Sequence, residues 1–215
     1  MQIMKEETEF KYVKINDICD VKSGKRLPKG HSLVSSTTTH PYIRLVDIQN
    51  NRVSSKNLLF LTDDTQRLIN KYIVRSGDIC LAVVGHTIGL VFYIDDEWDN
   101  ANLTENASRL TNFSKNCLSK YVYYFLNSSY GQYEISSRKV GSAQGKLPFY
   151  HIKDIEFPLP KLKIQKKIIN ILDALEDKII ILRKQNIIFE EVAQTLFKYW
   201  FKDFNFPNCD GKPYN

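Results

Sequence analysis

The chain lacks the cysteine and histidine patterns that hold a metal or staple a small secreted fold. Its four cysteines, Cys19, Cys80, Cys117 and Cys209, stand far apart with no CxxC or CxxH pair, and its four histidines (His31, His40, His86, His151) are equally scattered. A structural zinc site needs ligands clustered at short spacing, so none is expected. No apolar run approaches the length of a membrane span, and the opening MQIMKEETEFKYVK has no apolar core of a secretion signal. These absences predict a reduced, cytoplasmic protein with no membrane partner. A block of one charge sign is also missing. The net charge of +6 comes from 30 Lys+Arg against 24 Asp+Glu, with 20 basic and 17 acidic residues up to Pro160 and 10 and 7 beyond it. With no basic tail to grip a polyanion, this mild excess permits a nucleic-acid partner without demanding one.

What is there suffices for one full domain plus an appendage: 215 residues, 43% hydrophobic and 25% charged. Residues 12–160 read as a mixed, strand-rich domain. Short apolar runs at 42–45, 79–84 and 90–94 are rich in β-branched and aromatic residues and bounded by turn formers, which predicts strands. Short helices are expected at 16–19, capped by Asn16, and at 119–126, capped by Ser119. After Pro158-Leu159-Pro160 the period changes, and from Lys163 to Trp200 there is neither Pro nor Gly. Ile168, Leu172, Leu175, Ile179, Leu182, Asn186, Phe189, Ala193, Leu196 and Trp200 follow one another in alternating steps of four and three, a heptad seam with one polar member. At ~1.5 Å per residue the rod over 165–200 is about 54 Å long. Its seam needs another long helix, and this chain offers no second candidate. Asn186 in the seam either fixes the register of a pairing or escapes to solvent. A second apolar stripe, with Ile164, Ile171, Ile180, Ile181, Ile187, Ile188, Phe197 and Phe201, suits a bundle of more than two helices.

No catalytic constellation stands out. The Walker spacing, GxSxG, HExxH and a strand-linked GxGxxG are all absent, and Glu176-Asp177-Lys178 lies on the outer face of the rod, where charge keeps a helix in solution. A non-catalytic chain with no cofactor of its own is expected. Three polar, basic loops remain: 22–30 (KSGKRLPKG), 85–89 (GHTIG) and 138–146 (RKVGSAQGK). Glycine lets backbone approach a ligand, Lys and Arg neutralise phosphates, and Gln, His, Thr and Arg read base edges. The candidate DNA contacts are Lys25, Arg26, Lys29, Arg44, His86, Thr87, Arg138, Lys139, Gln144 and Lys146.

These stretches resemble one half of a type I restriction–modification DNA-specificity (S) subunit. The resemblance rests on Ile15-Asn16-Asp17-Ile18-Cys19 with Ser23-Gly24-Lys25, on the segments 41–48 and 77–89, and above all on Phe157-Pro158-Leu159-Pro160, Gln165-Lys166-Lys167-Ile168, Leu172-Asp173-Ala174-Leu175-Glu176 and the run 196–204 (LFKYWFKDF). It implies an α/β (α+β) target recognition domain over 1–160, a long conserved coiled-coil helix over 161–203 and a tail over 204–215. Full-length S subunits carry two recognition domains and two long antiparallel helices. Each domain reads half of a bipartite DNA site, and the helices space the halves and dock methyltransferase (M) subunits. This chain shows one domain and one helix, as a natural half-subunit or a truncated one would. The resemblance therefore implies double-stranded DNA, a second copy of the chain, M subunits and restriction (R) subunits as partners. S-adenosylmethionine and ATP chemistry would reside on those partner subunits. The rival readings are a structural adaptor assembled through the coiled coil, and a nuclease with an unrecognised site.

Overall fold

The computed structural model describes residues 10–141 and 145–213, and the chain divides into two compact units after Ile169. In chain order the first unit holds β1 (Lys11–Lys14), α1 (Ile15–Ile18), β2 (Asp20–Ser23), β3 (Pro41–Ile43), β4 (Ile48–Gln49), β5 (Arg52–Val53), β6 (Leu59–Phe60), α2 (Asp63–Ile69), β7 (Ile79–Ala82), β8 (Val91–Tyr93), β9 (Asn102–Leu103), β10 (Ala107–Thr111), α3 (Ser119–Asn127), α4 (Ser129–Ser137), α5 (Phe149–Lys153), β11 (Glu156–Leu159) and the start of α6 (Leu162–Phe197). This is the mixed sheet-and-helix domain with a long C-terminal helix that the sequence predicts.

An antiparallel sheet in the order β2-β10-β7-β8 organises the first unit. Its central strand β7 is buried at all four positions. The apolar run is continuous rather than alternating because both faces of the sheet are covered. On one face Ile79, Leu81, Val91 and Leu110 pack with Ile15, Val122, Leu126, Ile135, Ile152 and Phe157. On the other, Cys80, Phe92 and Ala107 pack with Ile43, Val74, Trp98 and Leu103. Strand β3 lies between β6, antiparallel, and β9, parallel. The β4–β5 hairpin turns through Asn50 and Asn51, at φ 51° and 60°. Both values are positive, as a type I′ turn requires, and asparagine tolerates that region. Strand β1 pairs with β11 from Lys11↔Leu159 to Lys14↔Glu156, so the two ends of the domain close on each other.

Three local expectations are corrected. The strand from Tyr42 stops at Ile43, because the Asp47 carboxylate folds back onto the Arg44 N–H (2.9 Å) and guanidinium and winds Leu45–Asp47 into a 3-10 turn. Helix α1 starts at Ile15 with Lys14, not Asn16, as its cap residue, and Asp17 accepts the Lys14 N–H at 3.0 Å. Helix α3 is capped by Leu118 rather than Ser119, with no side chain of its own available to cap.

Gln165 supplies what Leu118 lacks. Its side chain is fully buried; its Oε1 accepts the Leu118 N–H (2.8 Å), while its Nε2 donates to the carbonyls of Asn116 (2.9 Å) and Pro160 (2.8 Å). One amide thus ties the first turn of α6 to the start of α3 and to the proline hinge. Gln165→Leu keeps the volume but strands one buried donor and two acceptors, at ~1–3 kcal/mol for each buried polar group left unpaired. A loss on the order of 4 kcal/mol in denaturant unfolding of the full chain is expected; a loss below 1 kcal/mol would show that water replaces the amide at little cost.

The second unit is the remainder of α6, followed by a π-helical turn at Lys198–Lys202. After it the chain folds back, and the Trp200 ring meets Phe206 edge-on at 5.4 Å while Phe201 lies 5.8 Å from the Phe206 ring. Beyond Asn170 nearly every side chain of the helix is exposed, Leu175 by 57% and Phe189 by 66%. Among the described residues, no helix is long and apolar enough to cross a membrane.

Candidate nucleic-acid interface

The sheet register decides where the basic loops go. Ser23 ends β2 opposite Ser108, and Ala107 begins β10 opposite Ala82, the last residue of β7. Leu81 pairs with Val91, the first residue of β8. The loop after β2, the loop before β10 and the β7–β8 turn therefore leave the same end of the sheet. The loop of residues 138–146 joins them by backbone pairing: Gly85 N–H donates to Gly145 O (2.9 Å), Leu147 N–H to Val83 O (2.9 Å), and Val84 bridges Lys146. Val140 and Lys146 exchange both backbone bonds at 2.9 Å. All three loops singled out in the sequence, the first and last more than a hundred residues apart, thus meet at one end of one sheet.

Gly24 is the pivot of the first loop. Its N–H donates to Ala107 O (3.0 Å), and the Lys25 N–H donates to Leu103 O (2.8 Å). A Cβ at position 24 would lie 1.9 Å from the Thr104 carbonyl oxygen. Only glycine permits backbone to run this close to the β9–β10 connection. The Tyr42 hydroxyl then donates to Lys25 O (2.8 Å), and the Lys25 ammonium stands 5.3 Å from the centre of the Tyr72 ring.

The candidate contacts fall into distinct environments. Lys25, Arg26, Lys29, His86, Lys139 and Lys146 are exposed at this end. Thr87 is half-buried, its hydroxyl donating to Val84 O (3.0 Å) and thereby shaping the turn under His86. Arg44 is held bidentately by the buried Asp47 (2.9 and 2.6 Å) and also donates to Asn57 O. Arg138 closes α4: it pairs with Glu134 (2.7 Å), donates to that residue's carbonyl, and reaches Asp154 O. Arg44 and Arg138 therefore sit in half-buried local ion pairs, whereas the six exposed groups reach solvent, Arg26 among them although it also pairs with Glu105. Gln144 lies outside the described residues.

Reading loops by their basic residues missed the connection at residues 104–106, which sits between the first loop and the β7–β8 turn. Asn106 O accepts the Val83 N–H (2.9 Å), and Thr104 N–H donates to Ile43 O (3.1 Å). Glu105 accepts from Arg26 Nε at 2.8 Å. Burial raises the Glu105 carboxyl, but Arg26, the residue's own backbone amide and the Thr104 hydroxyl outweigh it and leave the group below its usual range. Beside it opens a groove of about 370 Å³ walled by Leu27, Leu33, Tyr42, Leu45 and Val46. The only hint of this connection in the sequence is its polar Thr-Glu-Asn between two apolar stretches.

The seam residues divide between the units. Ile168 packs on the core of the first unit. In the second, Leu172 is half-buried; Leu175, Ile179, Leu182, Asn186, Phe189, Ala193 and Leu196 are exposed; and Trp200 is half-buried against Phe206.

Residues 7–190 match the family model of the type I restriction modification DNA specificity domain. Curated relatives include the type I restriction enzyme MjaVIII specificity subunit of Methanocaldococcus jannaschii, 24% identical over 194 residues (87% of this chain, 44% of that protein). The HindI specificity subunit of Haemophilus influenzae is 23% identical over 137 residues, 63% of this chain and 30% of that one. Among solved structures, the S subunit of a type I restriction–modification system from M. genitalium superposes with a TM-score of 0.64 at 19% identity, covering 93% of this chain and 48% of that one. The chain spans less than half the length of these relatives. With the matched segment covering both the looped domain and most of α6, the chain belongs to the type I restriction modification DNA specificity domain family.

Proposed function

We propose that this chain is a DNA reader without catalysis of its own, which recognises one half of a bipartite target with the loop end of its four-stranded sheet. The observation that carries this reading is the convergence of three basic loops at that end, with Lys25, Arg26, Lys29, His86, Lys139 and Lys146 exposed there. Lys and Arg would neutralise phosphates, and His86 and Gln144 would meet base edges. The exposed seam of α6 pairs with the same seam of a second copy in antiparallel orientation and docks M subunits. Those subunits, together with R subunits, supply the S-adenosylmethionine and ATP chemistry, in the cytoplasm. An exposed apolar stripe of this length is unfavourable in water and marks an interaction surface.

An antiparallel pair of identical chains has a twofold axis, and DNA sites mirror the symmetry of the dimers that read them. The preferred target is then a palindrome of two short half-sites around an unread spacer. Inserting one heptad between Ile181 and Leu182 preserves the seam and adds about 10.5 Å of helix. Selection from random duplexes should return the same half-sites with a longer spacer. An unchanged spacer with a folded insertion variant would refute the helix as ruler.

A further inference from the structure

Four stretches make up the loop end: residues 22–30, 85–89, 104–106, and 138–141 with 145–146. They carry Lys22, Lys25, Arg26, Lys29, Arg138, Lys139 and Lys146, but a single carboxylate, Glu105. That carboxylate lies on the β9–β10 connection, which sits between the first loop and the β7–β8 turn. A surface meant to meet a polyanion gains nothing from a carboxylate in its midst, since every phosphate within a Debye length repels it.

Glu105 is nevertheless fixed there. Arg26 Nε donates to Oε1 at 2.8 Å and the Thr104 hydroxyl donates to Oε2 at 3.1 Å. Its backbone is anchored on both sides, Thr104 to Ile43 and Asn106 to Val83. The side chain remains 31% exposed, and that of Arg26 80%. An ionised carboxylate only accepts, and its two oxygens offer about four lone-pair directions. Arg26, Thr104 and the residue's own backbone amide occupy three of them, so the group keeps one acceptor direction toward solvent. The Arg26 guanidinium bonds Glu105 through Nε, which leaves its terminal nitrogens for a phosphate.

We infer that Glu105 is a specificity-determining residue, which accepts a hydrogen bond from an exocyclic base amino group in the major groove while Arg26 holds it in place and contacts the adjoining phosphate. The amino groups available there are cytosine N4 and adenine N6; the guanine O6 and N7 and thymine O4 edges present lone pairs that a carboxylate repels. Cytosine fits better, since adenine places its N7 acceptor beside the amino group. Much of the discrimination is thus repulsive, a device that rejects wrong sequences rather than tightening the right one. This inference rests on the DNA-reading function proposed above and names one contact within it.

The test is a cycle between protein and base. The unaltered chain, Glu105→Ala and Arg26→Ala are titrated with duplexes carrying the selected half-site, in which one base at a time is replaced by an analogue lacking its exocyclic amino group. At one position the deletion should weaken the unaltered chain about tenfold and leave E105A, which has no acceptor there, nearly unaffected, the coupling expected of a direct contact. R26A should reduce that coupling, because Glu105 loses its tether, and lose about one unit of salt slope. E105A should also bind random duplexes several-fold more tightly, because one repulsive charge is gone. A cytosine or an adenine at the coupled position tells the two amino groups apart. Equal cost of amino deletion in E105A and the unaltered chain at every position would overturn the inference and leave the DNA reading intact. If the unaltered chain binds no duplex, the DNA reading falls and takes the inference with it.

Discussion

Changing Leu175 and Leu182 to Asp should turn an assembled protein into separated chains. Both residues lie in the heptad seam of α6, and in the single chain they are 57% and 45% exposed. Partner helices must therefore cover them if the seam is used. An unpaired charge buried in such an interface costs on the order of 3–5 kcal/mol. Two per chain, doubled by the twofold axis, exceed the binding free energy of a nanomolar complex, about 12 kcal/mol. Sedimentation at micromolar concentration should show the unaltered chain as a dimer, and the double variant as a monomer with undiminished helix content. A folded monomer of the unaltered chain under those conditions would remove the basis for antiparallel pairing.

Replacing Lys25, Arg26 and Lys29 together by Ala should weaken binding to every duplex, cognate or not. Each phosphate contact contributes about 0.9 to the slope of log K against log salt. Loss of three such contacts flattens the slope by up to about 2.7. At moderate salt this amounts to a large loss of affinity, with base preferences preserved outside the position that Glu105 reads. Titrations at several salt concentrations separate this result from unfolding, which would abolish binding without a graded slope. Unchanged affinity and slope would move the DNA site to another part of the domain.

Some of this architecture is legible in the sequence and some is not, for definable reasons. The run at residues 79–84 announces a strand because its apolar residues are continuous, and the heptad from Ile168 to Trp200 announces a rod because its period persists over several turns. Both signals are local. The caps are less legible. Asn16 and Ser119 have the right chemistry, yet α1 is closed by Asp17 reaching back to Lys14, and the Leu118 N–H at the start of α3 is satisfied by Gln165, 47 residues away. No local pattern encodes a partner at that distance. The same limit applies to the interface. Basic residues mark the three loops, but their convergence depends on the strand order β2-β10-β7-β8, which is set by long-range pairing. Arg44 and Arg138 look like free cations in the sequence, while the structure holds them against Asp47 and Glu134. Glu105 carries the opposite charge to the one sought, so a search for basic loops passes over it.

The central claim is that this chain chooses where DNA is modified. Mapping of methylated bases in cells that express it together with the methyltransferase subunits proposed as its partners tests that claim most directly. The account predicts one bipartite palindromic motif, methylated in both halves around an unread spacer, and its loss when Lys25, Arg26 and Lys29 are neutralised. Methylation at a continuous or non-palindromic site, or at sites indifferent to those loops, would contradict it.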